Sequence, residues 1–290
     1  AARRACRPPP DGPVFATVRG GLSRLVEAVA RELRSGPDPV ELRFGWPVRA
    51  LVPAGSPGPA GSSRRRPAGR PRWRLVLSGP PTGSPADDEV DGVLLALPAP
   101  RAARLLRGID AAAAVAGLEA LEALEYASLA LVTLALPATG LPDLSGFLVP
   151  ATEGYAVKAA TFFSRKWGHL RRPDGTVLVR ASVGRHGEER LLHATDEQLV
   201  ALARRELAAL LGRPLPAPVA TAVTRWGGAL PQYPPGHVER VAGARQALRE
   251  AGPLALAGAG YDGVGIPACV KSGEAAAGEV AAALLGEWAA

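Results

Sequence analysis

The chain has 290 residues, 47% of them hydrophobic, and a formal net charge of +7. That length can build one large domain or two interleaved ones around a sizeable core, and no apolar run free of charges and prolines is long enough for a transmembrane helix. The charge excess is almost wholly arginine. It runs through every segment alongside Ala, Pro and Gly, the mark of a compositional bias, and basic and aromatic residues do not interleave, so a nucleic-acid role is discounted. The two cysteines, Cys6 and Cys269, make neither metal-ligand spacing nor a disulfide framework, which points to the cytoplasm and to no bound metal. No signal peptide is expected from the Arg- and Pro-rich start; peripheral membrane contact stays open.

Residues 1–13 read as a polar end without structure. Leu22, Leu25, Val26, Val29 and Leu33 then make one helical face, and Gly36-Pro37 stops it. Two short strands, Val40 to Phe44 and Val48 to Val52, are predicted around Trp46-Pro47. A Pro/Gly/Ser/Arg loop to Arg72 follows; its cluster Arg64, Arg65, Arg66, Arg70, Arg72 and Arg74 reads as a solvated hairpin insertion. Trp73 to Ser78 is the return strand, and the run from Asp91 is a buried strand ended by Pro98. Arg101–Arg107 and Ala111–Ala123 are helical in pattern.

The middle third is β-rich. Strands are predicted at Tyr126–Leu136, from Phe147, over Ala156–Trp167 and over Val177–Arg185, with a turn at Arg172-Pro-Asp-Gly-Thr. Thr195-Asp-Glu-Gln198 is a capping box, so a helix runs from there to Leu211. Pro218–Trp226 is a further strand, and His237–Glu250 a further helix. Leu254–Ala257 reads as a buried strand, after which Gly258, Gly260, Gly263 and Gly265 break regular structure. Beyond Pro267 a helix ending near Trp288 places Val270, Ala277, Val280 and Leu284 on one face. A strand, a glycine loop and a helix N-terminus let backbone N–H groups face an electron-rich ligand at close range. On spacing alone, a tight strand-to-helix turn explains the same residues.

The wording around that loop is more specific. Tyr261-Asp-Gly-Val-Gly-Ile-Pro-Ala-Cys-Val270 with Ser272-Gly273 resembles the C-terminal flavin segment of the oxygen-dependent protoporphyrinogen and coproporphyrinogen oxidases, within the flavin amine-oxidase superfamily. The string Arg225-Trp226 … Leu230-Pro-Gln-Tyr233 … Gly236-His237 is a second match, and the resemblance runs in order from Val14 onward. It implies a mixed α/β fold: a partial FAD-binding domain (14–98 and 226–290) with a sheet-and-helix substrate domain inserted between (99–225). It also implies backbone contact of Val48 with the adenine of FAD, Trp226 beside the flavin, and N–H groups near Val264, Gly265 and Ile266 at the flavin pyrimidine edge, steadying negative charge on the reduced ring.

The implied reaction is removal of hydrogens from a porphyrinogen, with hydride passing from a meso carbon to the flavin and dioxygen as acceptor. The substrate carboxylates need cations, for which Arg165, Lys166, Arg180 and Arg185 are candidates. No catalytic base is assigned: His169, His186 and His193 read as surface or turn residues and His237 as a helix cap or packing group. The family carries a Gly-x-Gly-x-x-Gly segment that this chain lacks. The chain is therefore expected to be the C-terminal part of a longer protein, with the missing N-terminal half as its partner. Two alternatives stay open. One is another oxidoreductase of the superfamily, such as an amine oxidase, for whose aromatic cage only Trp226 and Tyr233 are available; the other is an inactive fragment.

Overall fold

The computed structural model describes residues 16–54, 73–78, 88–109 and 112–286. The expectations for residues 1–13, Val14, the arginines from Arg64 to Arg72, Cys6 and Trp288 lie outside the described residues. Two compact units are separated at Trp46/Pro47.

The first unit holds helix α1, Ser23–Ser35. Its Leu22, Leu25, Val26, Val29 and Leu33 are all exposed. The helix ends where the Gly36 N–H bonds back to the Glu32 carbonyl and the chain turns extended before Pro37. The strand predicted at Val40–Phe44 does not form. Instead the Val40 N–H caps the Leu33 carbonyl, Arg43 pairs with Glu41, and Phe44 takes the Arg34 guanidinium over its ring.

The second unit begins with an antiparallel sheet of β1 (Val48–Pro53), β2 (Trp73–Leu77) and β3 (Asp88–Val90). Strand β4 (Val93–Leu95) leads into helices α2 (Ala99–Leu106) and α3 (Ala112–Glu122). A long strand, β5 (Tyr126–Leu136), is followed by β6 (Gly146–Leu148), β7 (Val157–Phe162), a helical turn α4 (Phe163–Lys166), β8 (Val177–Val183), α5 (Asp196–Leu210) and β9 (Ala220–Pro231). The chain closes with α6 (His237–Ala251), β10 (Leu254–Leu256), the short α7 (Ala259–Asp262) and α8 (Ile266–Leu285). Strand β10 lies parallel to β4, and the larger sheet has the order β6-β7-β8-β5-β9, antiparallel throughout. No helix of the described residues is long and apolar enough to cross a membrane.

Two hydrophobic clusters organise this unit. Leu51, Trp73, Leu106, Leu254 and Leu256 belong to one, where β1, β4, β10, α2, α3 and α6 converge. The other lies between the five-stranded sheet and α5, with Val132, Leu134, Val179 and Phe162 facing Leu199, Ala203 and Leu207. Each large side chain fully buried there contributes roughly 1.5–3 kcal/mol. Helix α5 starts at Thr195, whose hydroxyl accepts from the Gln198 N–H while the Gln198 side chain accepts from the Thr195 N–H, as the sequence predicts.

Strand alternation gives the sheet two unlike faces. Ala130, Val132, Leu134 and Leu136 of β5 are buried against α5, and Leu131, Thr133 and Ala135 between them point the other way and are half-buried. Directly paired residues share a face. Because Leu129 pairs with Trp226, Thr133 with Arg180 and Arg180 with Thr161, all of these lie on the face turned away from α5.

Candidate functional site

The glycine loop leaves β10 at Gly258 and reaches α8 at Gly265. Gly258, Gly263 and Gly265 have φ of 125°, 119° and 109°, which an L side chain rarely adopts. Regular structure is not wholly broken, as the sequence had suggested: α7 makes a helical turn between these glycines and takes Gly260 into it, its Tyr261 N–H bonding to the Gly258 carbonyl. Gly265 is the N-cap of α8 and has no side chain with which to cap it, and Pro267 sits in the first turn. A side chain at Gly258 or Gly265 would meet nothing within 4 Å, and Val264 and Ile266 are 54% and 45% exposed. The loop thus presents bare backbone at the positive end of a 20-residue helix. The apolar face expected on α8 is shifted. Ser272 and Ala276 are its buried residues, Val280 and Leu284 are half-buried, and Val270 and Ala277 are exposed.

A polar network fixes the loop from behind. Arg245 of α6 donates to both oxygens of Asp262, at 2.9 and 2.7 Å, and to the Leu256 carbonyl at 3.2 Å. The Ser272 hydroxyl donates to Asp262 and accepts from the Gly258 N–H at 2.9 Å, so one side chain of α8 ties together the two ends of α7. The Arg245 guanidinium, joined by the Ser272 hydroxyl, holds the Asp262 carboxyl below its ordinary pKa against the opposing effect of burial. Burial pushes the Tyr261 phenol well above its usual range, and its hydroxyl donates to the Leu97 carbonyl at 2.9 Å. Tyr233 donates to the Ala259 carbonyl, and the Tyr126 hydroxyl accepts from the Ala99 N–H. Sequence reading gave no role to Arg245, Asp262, Ser272 or Tyr126: the pairs they form cross between elements, and no local spacing announces them.

A cavity of about 770 Å³ opens beside this network, lined by Tyr233, His237, Arg245, Tyr261, Asp262 and Gly263 among others. Trp226 and Val264 are not among its lining residues. His237 is buried and packs against the Tyr233 ring at 4.6 Å, and Gly236 rather than His237 is the N-cap of α6.

The remaining candidates separate clearly. Val48 opens β1, opposite Leu77, just before a register irregularity. Trp226 lies on β9 and is 52% exposed. Arg165 and Lys166 are on the turn α4 rather than on the strand predicted for them, because the chain leaves β7 at Phe162 and the Trp167 N–H bonds to the Phe163 carbonyl. Arg165 donates to the Leu141 carbonyl and lies 3.8 Å from Asp143; Lys166 lies over the Trp167 ring. Arg185 donates to the carbonyls of Tyr155 and Val149 and pairs with Glu188. Arg180 differs from these. Its guanidinium stacks over the Phe163 ring at 4.6 Å and has no acid partner among the described residues, and burial lowers its pKa from the ordinary value.

Residues 2–281 match the family described as flavin containing amine oxidoreductase, and the chain belongs to that family. Among its curated relatives, coproporphyrinogen III oxidase of Mycobacterium tuberculosis (strain H37Rv) is 37% identical over 288 residues, covering 98% of this chain and 54% of the relative. The Bacillus subtilis coproporphyrinogen III oxidase is 30% identical, covering 90% of this chain and 50% of that protein. A crystal structure described as a protoporphyrinogen oxidase, from Exiguobacterium sp. 255-15, superposes with a TM-score of 0.71 at 30% identity, over 93% of this chain and 52% of that one. The chain thus spans about half the length of the curated relatives it matches.

Proposed function

We propose that the chain is the C-terminal part of an FAD-dependent porphyrinogen oxidase, acting on coproporphyrinogen III or protoporphyrinogen IX with dioxygen as acceptor, in heme biosynthesis. In this reading residues 14–98 and 226–290 belong to the FAD-binding domain and 99–225 to the substrate domain, and the N-terminal half of the same protein completes the FAD site. The cluster around Val132 draws only on residues within 99–225, as this division asks, whereas α2 and α3, also within 99–225, pack into the cluster around Leu51 with β1, α6 and β10, and β9 runs unbroken across the 225/226 boundary. The free thiol of Cys269 fits the reducing cytoplasm in which we place the protein.

The observation that carries the reading is the uncapped N-terminus of α8 behind Gly263 and Gly265. Bare backbone donors, a helix dipole and open space beside Gly265 fit the electron-rich edge of a flavin. Val264, Gly265 and Ile266 would hold that edge, with Val48 at the adenine and Trp226 beside the ring system. When bound, FAD supplies two-electron oxidation and the return of electrons to dioxygen. The chain's own residues orient the cofactor and the substrate: Arg245, Asp262 and Ser272 keep the bend in shape, and Trp226 offers an exposed aromatic face.

The test is turnover by the longer protein that contains this chain, with coproporphyrinogen III, protoporphyrinogen IX and a primary amine supplied in parallel. Porphyrin fluorescence rising together with hydrogen peroxide is the expected result. Peroxide from the amine alone would overturn the porphyrinogen reading in favour of an amine oxidase.

A further inference from the structure

We propose that Arg180, flanked by Thr133 and Thr161, is the carboxylate-recognition row of the substrate domain and makes the site selective for tetrapyrroles by their acid side chains. This rests on the porphyrinogen reading and assigns its specificity. Three of the candidate cations are held by other groups: Arg185 by two backbone carbonyls and Glu188, Arg165 by the Leu141 carbonyl and Asp143, and Lys166 at the Trp167 ring. Arg180 alone of the four combines a half-buried position, a ring that fixes its plane and no acid partner among the described residues. A half-buried guanidinium that faces no acid can take its anion from a ligand. Its planar fork suits a carboxylate, and Phe163 pre-orients it.

The neighbours extend the same chemistry. Thr133 and Thr161 pair directly with Arg180 from the strands on either side, so both threonine side chains lie on the sheet face that carries Arg180. Trp226 lies on that face as well, four residues along β5 and two strands across. Strand rise and spacing put it roughly 17 Å from Arg180, Cα to Cα. An exposed aromatic at one end and a lone guanidinium at the other suit one large cyclic ligand bearing carboxylates on its rim, and do not suit a small amine.

The experiment measures binding rather than turnover, in the full-length protein. Fluorescence titration compares coproporphyrin III with its tetramethyl ester for wild type, Arg180→Gln, Arg180→Lys and Thr161→Val, with a melting temperature taken for each. Wild type should favour the free acid by roughly ten- to a hundredfold, as a charge-assisted pair implies. Arg180→Gln should remove that preference while leaving ester binding unchanged; Arg180→Lys and Thr161→Val should keep part of it. If Arg180→Gln does not fold, an undiminished preference in both Arg180→Lys and Thr161→Val overturns the proposal. An undiminished preference in folded Arg180→Gln overturns it too, and leaves the porphyrinogen reading standing. If wild type binds neither porphyrin, the porphyrinogen reading falls and the assignment of Arg180 falls with it.

Discussion

The Tyr126 hydroxyl occupies the space that a side chain on Gly260 would fill. Tyr126 opens β5, and the same hydroxyl accepts from the Ala99 N–H at the start of α2. One phenol therefore joins the large sheet, the helical layer and the glycine loop, and the loop can approach only because position 260 has no Cβ.

Gly260→Ala should destabilise the protein by about 1–3 kcal/mol through that overlap. The cost should shrink in a Tyr126→Phe background, since the obstructing oxygen is then gone. Thermal unfolding of the two single variants and the double variant measures the coupling. Simple additivity would mean that the two residues do not meet.

Asp262→Asn should lower stability at neutral pH by weakening the hold of Arg245 and Ser272 on the loop. The carboxyl's folded pKa lies below its ordinary value, so its contribution is complete above the unfolded pKa of about 4 and is lost as pH falls toward the folded value. The gap between wild type and Asp262→Asn in urea unfolding should be constant from pH 7 to about 5 and should narrow below about pH 4. A gap that widened in acid would contradict the pairing.

Ser272→Ala removes a hydroxyl that both donates to Asp262 and accepts from the Gly258 N–H. A loss of about 1–3 kcal/mol is expected, the range for a buried partner left unsatisfied. Hydrogen exchange should show faster exchange of the Gly258 amide with little change in α5, which lies in the other hydrophobic cluster.

Arg185→Gln should act on stability. Its guanidinium is mostly buried and satisfies the carbonyls of Val149 and Tyr155, so about 1–3 kcal/mol should be lost in chemical unfolding. Arg180 makes no such backbone bonds, and Arg180→Gln should unfold close to wild type. The same substitution at two arginines of one strand region thus separates a cation the fold depends on from one it does not.

Much of the architecture was legible where a single local signal dominated. Tyr126–Leu136 has the predicted bounds because its alternation is long and uninterrupted, and α5 begins at Thr195 because the capping box is self-contained. Val40–Phe44 looked like a strand, but a strand needs a partner, and Glu41, Arg43 and Phe44 make local contacts instead. The buried face of α8 is not legible in the sequence, because alanine lies on every side of that helix and periodicity carries little information there. At the site, the exposed backbone around Gly265 follows from the glycine spacing. The Asp262–Arg245 pair does not, since it joins α6 to α7 and only the folded chain brings the two residues together. Nor could sequence separate Arg180 from Arg185; which arginine lacks an anion is decided by neighbours distant along the chain.

Strand β5 carries the loop contact at Tyr126, the tryptophan row at Leu129 and the arginine row at Thr133. The interval from the glycine bend to the arginine row is therefore metered in residues of one strand, with a register irregularity between Ala127 and Leu129. Inserting a single residue between Leu129 and Thr133 would turn either the tryptophan row or the arginine row to the opposite side of the sheet, so that the two no longer share a face.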